Sequence, residues 1–225
     1  MVQPASTNSG TNIEGGSAGE AGQVEETLGA RTGPLSGDPA ILGVPAFIVG
    51  SIALGLGLVG YVPPSAAGAA LPIILGATAG GQLLAALWSA ALGESAVAGV
   101  FGLFAGFWIS YPLLVLGLTH NWYGIDAADA TRTQVLYLGS WLVGFLLLTV
   151  GTLRLPSAFT LLFVLVDIAF ALILVGTAQG STTLTKAGGY VVFSFVLVGC
   201  YLYLNALSLA TGGRAYNLGR PVIHP

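Results

Sequence analysis

Asp167 is the first residue whose type and place invite chemistry, because it sets a carboxylate in the middle of an apolar run from about 156 to 177. A charge at the centre of a lipid-spanning helix costs roughly 2.5 to 3.5 kcal/mol on insertion scales, so such a residue faces other helices, water or a partner. Two roles fit Asp167: a proton-coupling group on a transport path, or a hydrogen-bonded carboxyl that joins helices. Gln82, Ser110, Thr149, Ser194 and Asn205 are the neutral polar residues of the apolar runs. Interhelix hydrogen bonding is the commoner use of such side chains, and pore lining is the alternative. Gln82 stands out because it shares a run with Gly76 and Gly80, where close packing and a polar contact could coincide.

Enzyme chemistry is hard to assemble from the rest. The two histidines, His120 and His224, lie outside the middles of the apolar runs, so no paired ligand set forms on one helix. Cys200 is the single cysteine, which excludes an intrachain disulfide and a multi-cysteine metal site. Gly55-Leu56-Gly57-Leu58-Val59-Gly60 fits a dinucleotide-binding pattern but follows no strand and lacks an acidic residue about 20 positions on. Gly15-Gly16-Ser17-Ala18-Gly19 fits a nucleophile-elbow pattern but lies in a polar stretch with neither strand nor helix around it. No enzyme, no cofactor and no metal is expected.

The elements that must position these residues follow from composition. Of 225 residues, 55% are apolar and 7% charged, against roughly 25% charged in soluble domains. A bilayer core of about 30 Å needs roughly 20 helical residues per crossing. Crossings fall near 40–61, 66–92, 96–118, 134–153, 156–177 and 187–209, and in these ranges Asp167 is the only formal charge. The fold expected is an all-α membrane protein, a six-helix transmembrane domain over 38–210. Gly76/Gly80 and Gly102/Gly106 place glycines on one helix face, which allows close backbone approach within or between protomers.

Residues 1–37 are rich in Ser, Thr, Gly and Glu and read as a disordered tail; residues 211–225 read as a short C-terminal tail. Cations near span ends are biased toward the cytoplasm. With both termini cytoplasmic, Arg31, Arg154, Arg214 and Arg220 lie inside, and Arg132 and Lys186 outside. The net charge of −3 owes much to four tail glutamates and leaves no footprint for nucleic acid.

Asp38-Pro39-Ala40-Ile41-Leu42-Gly43-Val44 resembles the N-P-A-P-L-G-L signature that opens the first span of the acetate uptake transporter family, which includes bacterial succinate-acetate permeases and yeast acetate and ammonia export proteins. Phe47 is similar to a phenylalanine of that span. Gln82-Leu83-Leu84-Ala85-Ala86-Leu87-Trp88 resembles the family's Q-x-x-A-G-x-W, Phe107-Trp108 its F-W pair, and Tyr137-Leu138-Gly139-Ser140-Trp141 its Y-L-G-x-W. Tyr201 and Gly213-Arg214 fit its closing pattern. The chain departs from the family at Asp38 for Asn, Ile41 for Pro, Phe104 for a tyrosine, and Ser89 for an acidic residue.

The resemblance implies a six-helix protomer assembled as a homohexamer in the plasma membrane, which is the inner membrane of a bacterial cell. Each protomer would hold its own path for acetate and similar small monocarboxylates, in some members succinate, with proton coupling in some. Phe47 and Phe104 would be constriction residues, and Asp38, Pro39, Ala40, Leu42 and Gly43 the signature at the first helix entry. Asp167, Gln82 and Asn205 are the candidate pore or coupling polar residues. A bare carboxylate in low dielectric is heavily penalised, and the assigned spans hold no Lys or Arg. Passage as the neutral acid, co-movement of a proton, and stabilisation by a helix N-terminus such as Asp38-Pro39 remain open. Proton-coupled symport, a passive channel for weak acids or neutral solutes, and a membrane sensor or scaffold without transport are the three functional expectations.

Overall fold

The computed structural model describes residues 36–223. All but the last two residues of the polar tail expected over 1–37, together with Arg31 and His224, therefore lie outside the described residues.

Six spans follow in chain order. α1 (Ala40–Val59) leads to a 3-10 turn (Pro64–Ala70), a π-helical stretch (Ile73–Ala79) and α2 (Gly80–Ala91). Then come α3 (Ser95–Thr119), a short 3-10 turn (Ala127–Asp129), α4 (Ala130–Thr152), α5 (Ser157–Gln179) and α6 (Thr182–Ala210). All six spans are long and apolar enough to cross a membrane, and among the described residues there is no strand. The chain is an all-α, multi-pass membrane protein.

Local chemistry sets the ends. Gly60 and Gly180 take left-handed conformations, φ 88° and 63°, and close α1 and α5, a conformation that costs glycine nothing. Ser181 caps α6, its Oγ accepting from the Leu184 amide at 3.4 Å. Two helices begin earlier than the hydropathy suggests, because a polar first turn extends each into the interface. The fourth span begins at Ala127 and α6 at Thr182. Arg132 and Lys186 thus sit on spans, which corrects the reading that Asp167 is the only formal charge within them. Arg132 is exposed and pairs with Asp129 at 3.8 Å.

α6 packs against α5 and α1, α4 against α5, and the second span against α1 and α3. Contact of α1 with the second span and with α3 depends on small residues. A methyl at Gly50 would collide with the Thr78 side chain, one at Gly43 with the Phe101 ring, and one at Gly81 would come within 2.5 Å of the Ala46 Cβ. The sequence pointed to other glycines. Gly76 and Gly80 meet nothing within 4 Å, while Gly102 and Gly106 would approach Ala86 and Trp141 at 3.9 and 3.1 Å.

Residues 211–223 fold back as a strap. The Tyr201 hydroxyl donates to the Asn217 carbonyl at 2.8 Å, and the Tyr216 amide to Asn205 Oδ1 at 2.7 Å. The Ala158 amide donates to the Leu218 carbonyl, and the Val222 amide to the Leu153 carbonyl, both at 3.0 Å. The end of α6 is thereby tied to the corner between α4 and α5. Tyr201→Phe removes one of these bonds, a loss of about 1 kcal/mol, and should speed proteolytic cleavage after residue 211 without unfolding the bundle.

Candidate functional site

The centre of the bundle is aromatic. Phe47 on α1 meets Phe104 on α3 edge-on at 5.0 Å and Phe195 on α6 at 5.4 Å. Phe104 in turn meets Phe145 on α4 at 4.7 Å and Phe163 on α5 at 5.8 Å. Five helices thus contribute to one collar, with Phe47 5% and Phe104 4% exposed. Rings in tilted and edge-on contact stabilise one another beyond their buried area, so the collar is firmly packed.

Above the collar, on the side away from Asp38 and the strap, lies a cavity of about 310 Å³. Phe47, Phe104 and Trp108 line it at one end, and Tyr111, Thr119, Gln134, Tyr137, Thr177 and Thr185 are polar groups farther along. A wider vestibule of about 670 Å³ adjoins this cavity. The two share Leu54, Leu58, Tyr111, Gln134, Thr177 and Thr185 as lining, which sets them side by side. Lys186 lines the vestibule and is the one charged side chain among the described residues that line either part. The Tyr137 hydroxyl, from another lining residue, lies 3.0 Å from Ser110 Oγ and donates to the Phe107 carbonyl at 3.2 Å.

The first helix entry is already satisfied. Asp38 Oδ1 accepts from the Ala40 amide at 2.8 Å, and the amides of Ile41, Leu42 and Gly43 donate to the carbonyls of Asp38 and Pro39. A carboxylate and two carbonyls thus accept from the first amides of the helix, the donors that an anion would otherwise meet. Pro39 is fully buried, and Ala40 packs against the Ala85, Ala86 and Phe101 cluster, whereas Leu42 is 36% exposed.

The polar candidates are dispersed. Gln82 is fully buried, and its Nε2 donates to the Gly43 carbonyl at 2.7 Å, which fixes the second span against α1. Asn205 holds the strap. Asp167 Oδ2 accepts from Thr149 Oγ1 at 2.5 Å, between α4 and α5, and is absent from the lining of the cavity above the collar. Its Oδ1, like Trp108 Nε1, Thr78 Oγ1 and Ser51 Oγ, is buried without a hydrogen-bond partner. Among the described residues no cluster of His, Cys, Asp or Glu could hold a metal ion.

Sequence reasoning missed Lys186 because hydropathy placed it outside a span. Phe145, Phe163 and Phe195 were passed over because aromatics in packed helices carry no mark of their place. The repeated Phe at similar depth in five spans is the available signal.

The fold is similar to that of a solved structure described as the bacterial acetate channel SatP, with a TM-score of 0.69 at 24% identity, covering 83% of this chain and 97% of that one. The meiotically up-regulated gene 86 protein of Schizosaccharomyces pombe is 32% identical over 78% of this chain and 59% of its own length. Acetate permease A of Emericella nidulans is 32% identical over 48% of this chain and 41% of its own length. Ammonia transport outward protein 2 of Saccharomyces cerevisiae is 29% identical over 64% and 51%. The chain spans about half the length of the curated relatives it matches. Since the model of the GPR1/FUN34/yaaH family matches residues 22–218, the chain belongs to that family.

Proposed function

We propose that the protein transports acetate and related small monocarboxylates across the plasma membrane, through the cavity and past the aromatic collar of each protomer. The observation that carries this reading is the pair of adjoining cavities that runs from Lys186 to the rings of Phe47 and Phe104, in a fold shared with a protein described as an acetate channel. The relatives named for acetate permease and ammonia export support a small-solute cargo. Orientation follows the cation bias, with Arg154, Arg214 and Arg220 cytoplasmic and the Lys186 vestibule outside. A homohexamer suits α4, whose Leu136, Val143, Leu147 and Val150 are exposed.

Uptake of radiolabelled acetate into liposomes holding the purified protein tests the proposal. Flux above that of empty vesicles is expected, and its absence would leave a sensor or scaffold role.

A channel and a proton-coupled carrier differ at Asp167. The carboxyl is hydrogen-bonded to Thr149 and lies away from the cavity lining, which favours the channel. Its partnerless Oδ1 is the observation on the side of the carrier. For the channel, Asp167→Asn should leave acetate flux within about twofold of the parent, with no uphill accumulation by either protein under an imposed pH step. Accumulation by the parent that Asp167→Asn abolishes would establish coupling through this residue.

A further inference from the structure

We propose that the vestibule is an anion antechamber, in which Lys186 selects carboxylates over uncharged solutes of the same size. The inference rests on the transport reading above and adds to it the charge state admitted from this side.

Lys186 projects from the second turn of α6 into the 670 Å³ vestibule, and its ammonium runs alongside the Gly60 turn that ends α1. Polar groups that can donate to a carboxylate surround the same space: Thr131 and Gln134 from α4, Ser181, Thr182 and Thr185 from the start of α6. No acidic side chain is among the described residues lining either the vestibule or the cavity below it. The acidic residues at this end are Asp126 and Asp129, beside the short 3-10 turn before α4; Asp129 pairs with Arg132, and none of the three lines the space. Glu94, Arg154, Arg214 and Arg220 belong to the connections and strap at the opposite end of the spans.

One uncompensated cation in a cleft with low-dielectric walls focuses its field into that cleft, and raises the local concentration of counter-ions. The lining thereby gives what the collar lacks. An acetate ion is gathered beside a cation and several hydroxyls before it reaches an apolar constriction, whereas a neutral solute of equal size gains nothing from the charge. Lys186 acts on selection and capture, and the rings act on passage.

The test uses the full chain in liposomes and compares acetate with acetamide, its uncharged isostere, at neutral pH. At low ionic strength, Lys186→Met should lower acetate uptake by about tenfold and Lys186→Glu further, while Lys186→Arg stays near the parent. Raising the salt toward 1 M, where the screening length falls to about 3 Å, should bring Met and Arg variants together. Acetamide flux should not change across the series. A purely structural role for Lys186 would not produce a salt-dependent gap between Met and Arg. Parent-like acetate uptake in Lys186→Met overturns the antechamber and leaves the transport reading intact, whereas a parent that carries no acetate overturns the transport reading itself.

Discussion

Phe104→Ala should turn a selective path into a leak. The ring touches three others in the collar, Phe47, Phe145 and Phe163, at 5.0, 4.7 and 5.8 Å, so its removal leaves the obstruction without its central member. Lowering a permeation barrier by about 1.4 kcal/mol raises flux tenfold, and loss of a ring from such a contact is expected to do at least that. Acetate flux should rise about tenfold, and solutes larger than acetate that the parent excludes should enter. The same truncation removes core packing, which costs about 3 to 5 kcal/mol in soluble proteins, so melting in detergent should fall as well. Phe104→Leu keeps most of the volume and should show most of the stability without the full selectivity. Unchanged size exclusion in Phe104→Ala liposomes would place the constriction elsewhere.

Gly50→Leu should prevent the bundle from assembling. Even a methyl at this position collides with Thr78, and both residues are fully packed, with Thr78 0% exposed. Overpacking of a tight core costs typically 1 to 3 kcal/mol and occasionally more. Here the neighbour sits in the π-helical stretch Ile73–Ala79, held on both sides by α1 and α3, so the upper end of that range, about 3 kcal/mol, is expected. Size-exclusion chromatography of the detergent-solubilised variant should show aggregate in place of the parent peak. Gly50→Ala should be milder, and Gly76→Leu, which faces open space, should leave the peak in place.

Hydropathy made the six spans legible, because lipid demands long apolar helices whatever their later packing. It failed at the starts of the fourth and sixth spans, where Asp129, Arg132 and Lys186 read as loop although interfacial turns tolerate charge. The ordered motifs around Phe47, Gln82 and Phe107-Trp108 pointed to the family, since their sequence order constrains far more than any one residue does. Which glycines pack was not legible. Gly50 and Gly81 differ from Gly76 and Gly80 only in the direction they face, which is set by the register between α1 and the second span. Asp167 was readable as costly, but its Thr149 partner comes from a neighbouring helix 18 residues away and becomes apparent only when α4 and α5 are side by side.

The wider winding of Ile73–Ala79 has a bearing on how this chain is compared with its kin. A stretch wound this way takes up more residues per turn than the 3.6 of an α-helix. The side chains before it, such as Leu71, are therefore out of phase with those after it, such as Gln82. Two relatives whose second spans differ in this winding would align without a gap on only one side of it, and positions matched by simple counting across Gly76 would point in different directions.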